Sequence, residues 1–175
     1  MATGEVKGET QHKTFASYRT SLRKVFYIDL EKCIGCKSCE AACARVHDGS
    51  PRMYIQTISE FNVPMHCQHC EVPACVEACP EKAIDVSPEG FTVLNEAKCV
   101  ACRACIVACP FGMPRLEEEK RVVVKCDMCI ERIRQGLEPA CVATCTSGAL
   151  MFITCIGCNI CVVSCPFVKK VSIKG

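Results

Sequence analysis

Short apolar segments separated by cysteine-rich loops recur along this chain of 175 residues. Most of these segments are four to six residues long, and one of nine alternates in polarity, so the pattern is typical of short strands. Two of them flank Ser87, Pro88, Glu89 and Gly90, a turn-forming sequence that predicts a β-hairpin. Short helices are expected after the last cysteine of each cysteine group, with residues 131–135 near group four as an example. The predicted strands are residues 25–30, 53–61, 83–86, 91–94, 121–125 and 149–153.

The two ends of the chain differ in polarity. Residues 1–24 are polar and mixed in charge, which predicts an N-terminal extension that docks on a partner. The chain shows no twin-arginine pair and no apolar signal segment, so we expect a cytoplasmic protein, with export on a partner's signal as the alternative. Residues 149–168 are nearly free of charge, but four cysteines, Gly157 and Pro166 favour a cluster loop over a membrane span.

Cysteine is the most informative residue type, because its 20 copies form five groups of four. Groups one, three and five have the spacing C-x2-C-x2-C-x3-C, which holds [4Fe–4S] clusters on four thiolates. This spacing predicts iron–sulfur clusters and electron transfer. In order, the groups are Cys33, Cys36, Cys39 and Cys43; Cys67, Cys70, Cys75 and Cys79; Cys99, Cys102, Cys105 and Cys109; Cys126, Cys129, Cys141 and Cys145; Cys155, Cys158, Cys161 and Cys165.

The spacing within a group has a physical reason. Two residues between cysteines let one loop turn three sulfurs toward a common centre, while the fourth cysteine points to a second cluster. Small residues such as Gly35, Ser38 and Ala104 are expected to let backbone amides approach inorganic sulfide. Proline after the fourth cysteine in groups two, three and five ends the loop.

Three other uses of the cysteines compete with this interpretation. A disulfide framework suits small secreted proteins, and ten bridges among these runs would be crowded. Zinc favours pairs of C-x2-C with a longer spacer, and group four, with eleven residues between Cys129 and Cys141, is compatible with it. The C-x4-C-x2-C order of plant-type [2Fe–2S] proteins is absent from the sequence.

Composition and charge agree with an inorganic interior. Aromatic residues make up 6% of the chain and tryptophan is absent. The formal charge of +2 would fall to about −8 with five oxidised clusters on their thiolates. Basic residues beside the cysteines either offset that charge or are solvated surface groups. They are Lys32, Lys37, Lys82, Lys98, Arg103 and Lys125.

The sequence shows no catalytic signature. A P-loop, a dinucleotide fingerprint, a nucleophile elbow and the radical-SAM cysteine order are all missing, so we expect a non-catalytic protein. Nothing in the charge pattern indicates nucleic-acid binding. His47, His66 and His69 are expected to lie around the clusters or on the surface, because the cysteines already supply every ligand.

The details of groups two and four carry a resemblance to a known family. Group two includes the sequence His-Cys-Gln-His-Cys at residues 66–70, and group four begins with Lys-Cys-Asp-Met-Cys at residues 125–129. With groups one and three, these resemble the four-cluster iron–sulfur subunits of the dimethyl-sulfoxide-reductase type, over residues 25–150. Relatives in that family include formate dehydrogenase beta subunits, formate hydrogenlyase ferredoxin subunits and the ferredoxin partner of carbon monoxide dehydrogenase. Thr146 stands where the family often has proline.

The resemblance implies four ligand sets, here named quartets A to D, that form a bent electron wire. The predicted elements and the cysteine spacing themselves indicate an α+β, loop-rich fold of tandem ferredoxin-like modules organised around [4Fe–4S] clusters, with the module of groups two and three inserted into that of groups one and four. Quartet A is Cys33, Cys36, Cys39 and Cys145; quartet B is Cys43, Cys126, Cys129 and Cys141; quartet C is Cys67, Cys70, Cys75 and Cys109; quartet D is Cys79, Cys99, Cys102 and Cys105.

Group five lies outside the four-cluster pattern, and only nine residues separate Cys145 from Cys155. We favour a fifth cluster on Cys155, Cys158, Cys161 and one further cysteine, for which Cys165 is the candidate, in an extra C-terminal motif, residues 151–175. The alternatives are pairing with a cysteine from another chain, or a longer natural linker near residue 153.

The resulting hypothesis is an electron-transfer subunit that connects a catalytic oxidoreductase subunit to a second acceptor subunit or ferredoxin. By resemblance, the catalytic subunit would be a molybdenum, tungsten or nickel enzyme, such as a formate dehydrogenase, hydrogenase or carbon monoxide dehydrogenase. The alternatives are a free-standing polyferredoxin carrier and a filament-forming conducting scaffold.

Overall fold

The computed structural model describes residues 23–155, and these form short strands and helices joined by loops. The strands are β1 (Arg23–Ile28), β2 (Tyr54–Ile58), β3 (Phe61–Met65), β4 (Ile84–Val86), β5 (Thr92–Leu94), β6 (Arg115–Glu117), β7 (Val122–Val124) and β8 (Leu150–Cys155). The α-helices are α1 (Ser38–Val46), α2 (Ala74–Glu77), α3 (Ala104–Ala108), α4 (Ile130–Arg134) and α5 (Ala140–Ala143). A 3₁₀ turn spans Glu96–Lys98.

The strands pair two by two into small sheets. β1 pairs with β8, and β2–β3, β4–β5 and β6–β7 are antiparallel hairpins. Two-stranded ribbons are marginally stable by themselves and depend on what they pack against. The interior of this fold must therefore be supplied largely by the helices and the cysteine loops.

The helices pack in two pairs, each with its own cysteine-rich core. The α1–α5 pair lies in a core that contains Cys39, Cys43 and Cys141 together with Met53, Val142 and Leu150. The α2–α3 pair lies in a core of Cys75, Cys105, Ile84 and Val123. Cysteine side chains thus occupy positions that bulky apolar residues fill in most small domains.

The predicted hairpin at residues 83–94 is confirmed, but the single strand predicted over residues 53–61 is wrong. That segment forms β2 and then reverses through Ser59 and Glu60, so that Ile58 pairs with Phe61 at the start of β3. Ser59 has a left-handed φ of 55°, which lets two residues close the turn. The alternation of polarity continues through the turn and conceals it from the sequence.

The prediction that helices follow the last cysteine of each group is also wrong as a rule, although the helix expected over residues 131–135 is present as α4. In groups one to four, a helix begins one residue before the third cysteine. Helices α2 and α5 start after Pro73 and Pro139, while α1 and α3 start after the left-handed residues Lys37 and Arg103. Each helix therefore contains the third cysteine of its group, and α1 also contains the fourth, because the turn that precedes the helix is short.

The mixed helix and strand content predicted from the sequence is confirmed, while the insertion of one module into the other remains a prediction. Among residues 23–155, no helix has both the length and the apolar character needed to cross a bilayer. The predicted N-terminal extension up to residue 22, and Cys158, Cys161 and Cys165 of group five, lie outside the described residues.

Candidate metal centres

Three cavities are each lined by four cysteines that come from two different groups. They match the membership of quartets A, C and D. In each case three cysteines belong to one loop and the fourth comes from a distant part of the chain, Cys145, Cys109 or Cys79. The fold thus brings twelve of the predicted site residues into three separate sets.

Quartet B is arranged differently. Cys43, Cys129 and Cys141 lie close to one another. Burial raises the pKa of Cys141, and the neighbouring thiols raise it further. Cys126 is fully buried and packs in a cluster with Cys67 of quartet C and Met113. Cys126 therefore lies where quartets B and C approach each other.

A shared helix position explains how one group serves two quartets. The third cysteine of each group is the second residue of its helix: Cys39 in α1, Cys75 in α2, Cys105 in α3 and Cys141 in α5. The fourth cysteine follows four residues later; Cys43 lies within α1, whereas Cys79, Cys109 and Cys145 follow one or two residues after their helices end. Each helix consequently positions one cysteine of each of two neighbouring quartets.

The cysteine loops share one backbone feature. The residue directly before the second cysteine is left-handed in groups one to four, with φ of 68° at Gly35, 44° at His69, 55° at Ala101 and 62° at Met128. This conformation turns the chain sharply, so that successive sulfurs can face the same cavity. Of these four residues, only Gly35 has the residue type that adopts it without strain.

Within residues 23–155, backbone amides donate hydrogen bonds to at least six cysteine sulfurs. The Arg52 N–H lies 3.2 Å from Cys43 Sγ and the Ala83 N–H lies 3.2 Å from Cys79 Sγ. Such bonds stabilise a thiolate and affect the electronic properties of a bound metal. The residues that donate these bonds to cysteine sulfurs are different from Gly35, Ser38 and Ala104, whose amides the sequence analysis expects near inorganic sulfide. The other four bonds run from His69 to Cys67, Val123 to Cys99, Met128 to Cys126 and Leu150 to Cys145, each 3.4 Å long.

Burial controls the protonation of the thiols. It raises the pKa of Cys39, Cys105 and Cys129 to about 11. The pKa of Cys36 is lowered by hydrogen bonding with Ser38, and that of Cys145 is lowered because hydrogen bonds outweigh its burial. Buried thiols with raised pKa values release their protons when a metal binds. Sets of four convergent cysteines fit a [4Fe–4S] cluster, and quartet B would also suit zinc.

The three histidines lie beside cysteine positions. His47 Nε2 is 3.8 Å from Cys129 Sγ and 3.5 Å from Asp127 Oδ1. Burial lowers the pKa of His47, against the opposing effect of Asp127. His47, Asp127 and Cys129 could hold a metal ion as a set, but Cys129 already belongs to quartet B.

His66 and His69 are both buried in the loop of group two. His66 Nδ1 is 2.9 Å from the Cys67 carbonyl oxygen, and the His66 ring packs on Phe26 with centroids 4.4 Å apart. His69 Nδ1 accepts a hydrogen bond of 3.1 Å from the Thr92 N–H. These contacts connect the loop to the β4–β5 hairpin and to β1, so both rings serve to position the cysteines.

Among the six basic residues next to cysteines, one differs from the rest. Lys125 is 1% exposed, whereas Lys32, Lys37, Lys82, Lys98 and Arg103 are exposed. Its neighbours in sequence, three valines and Cys126, are a partial signal of a buried segment. The lysine itself carries no sequence feature that distinguishes it from the exposed ones.

Comparison with known proteins agrees with this architecture. Residues 58–156 and residues 26–80 each match a 4Fe-4S dicluster domain, and residues 154–168 match a 4Fe-4S binding domain. One chain of the anaerobic dimethyl sulfoxide reductase of Escherichia coli (strain K12) is 38% identical over 146 residues, which cover 73% of this chain and 71% of the relative. The present protein belongs to this family of iron–sulfur proteins. The resemblance stated from the sequence is thereby confirmed.

Other members of the iron–sulfur family come from further oxidoreductases. The nitrate-inducible formate dehydrogenase iron–sulfur subunit of Escherichia coli (strain K12) is 34% identical over 163 residues, covering 77% of this chain and 55% of the relative. One of the subunits of tetrathionate reductase from Salmonella typhimurium is 33% identical over 140 residues, covering 73% and 56%. The chain thus spans a little more than half the length of these two relatives.

Proposed function

We propose that this chain is a non-catalytic electron-transfer subunit of an oxidoreductase complex, with substrate chemistry carried out by another subunit. The observation that carries the proposal is the sharing of each helix between two neighbouring quartets. Bound [4Fe–4S] clusters would supply one-electron redox chemistry. The chain's own residues hold the ligands at fixed separations and keep water away from the inner sets.

The contacts support an order of the quartets. α1 and α5 each position cysteines of A and B, and α2 and α3 each position cysteines of C and D. The packing of Cys126 against Cys67 joins B to C. The proposed series is therefore A, B, C and D.

Exposure of the sulfurs distinguishes the ends of this series from its middle. Cys36 of quartet A and Cys102 of quartet D are exposed, whereas the cysteines of B are buried and those of C are buried or partly buried. A partner can approach an exposed ligand more closely than a buried one. We propose that electrons enter and leave near Cys36 and Cys102.

We further propose the domain arrangement implied by the sequence. Residues 25–150 would form a double ferredoxin-like domain, with the module of α2 and α3 inserted into that of α1 and α5. The pairing of β1 with β8, at opposite ends of the described residues, supports this nesting. The family match at residues 154–168 supports a fifth cluster on Cys155, Cys158, Cys161 and Cys165.

The proposed partner is a catalytic subunit of the molybdenum or tungsten type, with a second subunit or ferredoxin as the other electron partner. The names of the relatives support this choice over a nickel enzyme. The cytoplasm is proposed as the compartment, as expected from the sequence.

Anoxic purification of the chain from its native host, followed by metal analysis, tests the proposal. We expect a co-purifying larger polypeptide with molybdenum or tungsten, and about four iron atoms for each quartet. Nickel in that polypeptide would correct the partner type, and zinc in place of iron at one site would correct quartet B. Iron in a chain that purifies alone would show a free carrier instead of a subunit.

A further inference from the structure

Three lysines occupy the same place relative to a cysteine group but lie in different environments. Lys32, Lys98 and Lys125 directly precede the first cysteine of groups one, three and four. Lys32 forms an ion pair of 2.8 Å with Asp29, and its side chain is 51% exposed. Lys98 is also exposed, while Lys125 is fully buried. Burial of a lysine ammonium is costly and needs a reason.

The contacts of Lys125 use two of its three N–H donors without balancing its charge. Its Nζ donates to the carbonyl oxygens of Thr92 and Cys126, the latter at 2.7 Å. Both acceptors are uncharged. The positive charge is therefore held in place between β5 and the loop of group four.

The ammonium group lies at the junction of the two inner quartets. Lys125 lines the cavity of quartet C together with all four of its cysteines, and it adjoins Cys126 of quartet B. A positive charge at this place stabilises negative charge on the neighbouring thiolates and on any group that they hold.

We propose that Lys125 is a potential-setting cation, which raises the reduction potential of the centre held by quartet C and, to a smaller extent, that of quartet B. The inference rests on the proposed function. Reduction adds one electron from an external reductant and one negative charge, with no bond made or broken. A fixed positive charge in a poorly solvated interior favours the reduced form more strongly than a charge at the surface does.

The test is a redox titration of the anoxically purified protein, followed by electron paramagnetic resonance, for Lys125→Gln and Lys125→Met. Glutamine removes the charge and keeps an N–H donor, and methionine removes both. With iron content unchanged, we expect one or two midpoint potentials to fall in both variants. The reduced-to-oxidised ratio at a fixed potential should drop at least about tenfold, which is about 59 mV for one electron.

Lys98→Met is the matched control, because Lys98 precedes Cys99 as Lys125 precedes Cys126 but is exposed. Its effect should be about twofold or less, owing to screening by solvent and salt. Unchanged potentials in both Lys125 variants, with full iron content, would overturn the inference. So would a shift in Lys125→Met alone, since that would assign the effect to the hydrogen bonds.

If both uncharged variants fail to retain iron, Lys125→Arg decides. If Lys125→Arg retains iron and has potentials close to those of the wild type, the positive charge is what the site requires. If Lys125→Arg also loses iron, the proposal is overturned, because the lysine would then be needed for its packing. The proposed function is judged separately, since it fails only if the wild-type protein lacks clusters or has no partner subunit.

Discussion

The α1–α5 pair and the α2–α3 pair use the same cysteine geometry in two different settings. In each pair one helix begins after a left-handed basic residue, Lys37 or Arg103, and the other after a proline, Pro139 or Pro73. In each pair both helices position cysteines four residues apart. The two halves of the molecule are thus built by the same local rules, although their sequences and spacers differ.

The surroundings of the two pairs are not alike. The α1–α5 core includes Met53, Val142 and Leu150, with Phe26 and Phe152 among the side chains packed against it. The α2–α3 core has Ile84 and Val123 as its buried non-cysteine members, with Val76, Leu94 and Ile106 packed against it. The α1–α5 core thus has the larger non-cysteine part, including two aromatic rings, so we expect the α2–α3 side to depend more on its metal sites.

The charges around the two inner quartets differ as well. Beside quartet B, Arg52 contacts Asp127 at 3.3 Å and Glu96 at 2.8 Å, and His47 contacts Asp127. With His47 neutral, that network has one positive and two negative groups, so its net charge is negative. Beside quartet C lies the ammonium of Lys125, held by uncharged carbonyls. The comparison teaches that equal ligand geometry need not give equal reduction potentials, because the nearby charges differ.

The largest effect is expected from serine replacements of cysteines in groups two and three. Cys79→Ser and Cys105→Ser should each remove or convert the same centre, because both side chains line the cavity of quartet D. Cys109→Ser should affect a different centre, that of quartet C, although Cys109 follows Cys105 by only four residues. Iron analysis and electron paramagnetic resonance measure the losses. Unlinked spectral losses for Cys79→Ser and Cys105→Ser would contradict the assignment.

Removal of iron by anoxic chelation should affect the two halves unequally. We expect amide exchange at Ile84 and Val123 to accelerate by about tenfold more than exchange at Val142 and Leu150, a difference of about 1.4 kcal/mol in local opening. The reason is the smaller non-cysteine core of the α2–α3 side. Hydrogen exchange with mass spectrometry measures it. Equal acceleration in both halves would show that the cores depend on metal to the same degree.

A smaller effect is expected at the turn before the second cysteine, where Gly35 and Ala101 are equivalent. A Cβ at Gly35 would come within 2.8 Å of the Asn62 side chain, in addition to the cost of a left-handed φ. Gly35→Ala should destabilise the protein by about 1–2 kcal/mol. Anoxic denaturant unfolding, followed by the loss of cluster absorbance, measures this change.

Ala101→Gly is the matched control for that substitution. Relief of the left-handed strain at Ala101 is offset by the greater freedom of glycine in the unfolded chain, so the net change should lie within about 0.5 kcal/mol. If Gly35→Ala were equally neutral, Asn62 would have to move away without loss of its 3.0 Å hydrogen bond from Thr57.

The smallest effect is expected at an exposed ion pair that connects the β4–β5 hairpin to α4. The Arg134 guanidinium lies 3.0 Å from Glu89 and lowers the pKa of that carboxyl to about 2. A lowered folded-state pKa means that the pair stabilises the protein above the ordinary value of 4.5 and that this contribution is lost as the pH falls toward 2. Because the pair lies at the surface, the effect is screened.

Glu89→Gln at pH 7 should therefore lower the unfolding midpoint slightly, and less than Gly35→Ala does. The difference should disappear at about 1 M salt and in an Arg134→Met background. Thermal unfolding under anoxic conditions provides the measurement. An effect that persisted in high salt would require a role for Glu89 other than this ion pair.

The sequence predicted the strands best where a turn signal was explicit. Residues 87–90 marked the β4–β5 hairpin, whereas Ser59 and Glu60 carried no such signal and the β2–β3 turn was missed. The predicted helices lie further toward the C-terminal end of each cysteine group than the observed ones. The reason is that the turn that starts each observed helix depends on the left-handed backbone of Lys37 or Arg103, or on a preceding proline. A lysine or an arginine in the sequence gives no indication that its backbone is left-handed.

What the sequence determined by itself is the chemistry: cysteines at these fixed spacings converge as sets of thiolates, and this local constraint acts within a few residues. The tertiary structure decided which distant cysteine completes each cavity, which amides reach the sulfurs, and which of six similar basic residues is buried. These outcomes depend on packing between segments far apart in the chain. Lys125 illustrates the difference, since only the fold places its charge between two quartets instead of in water.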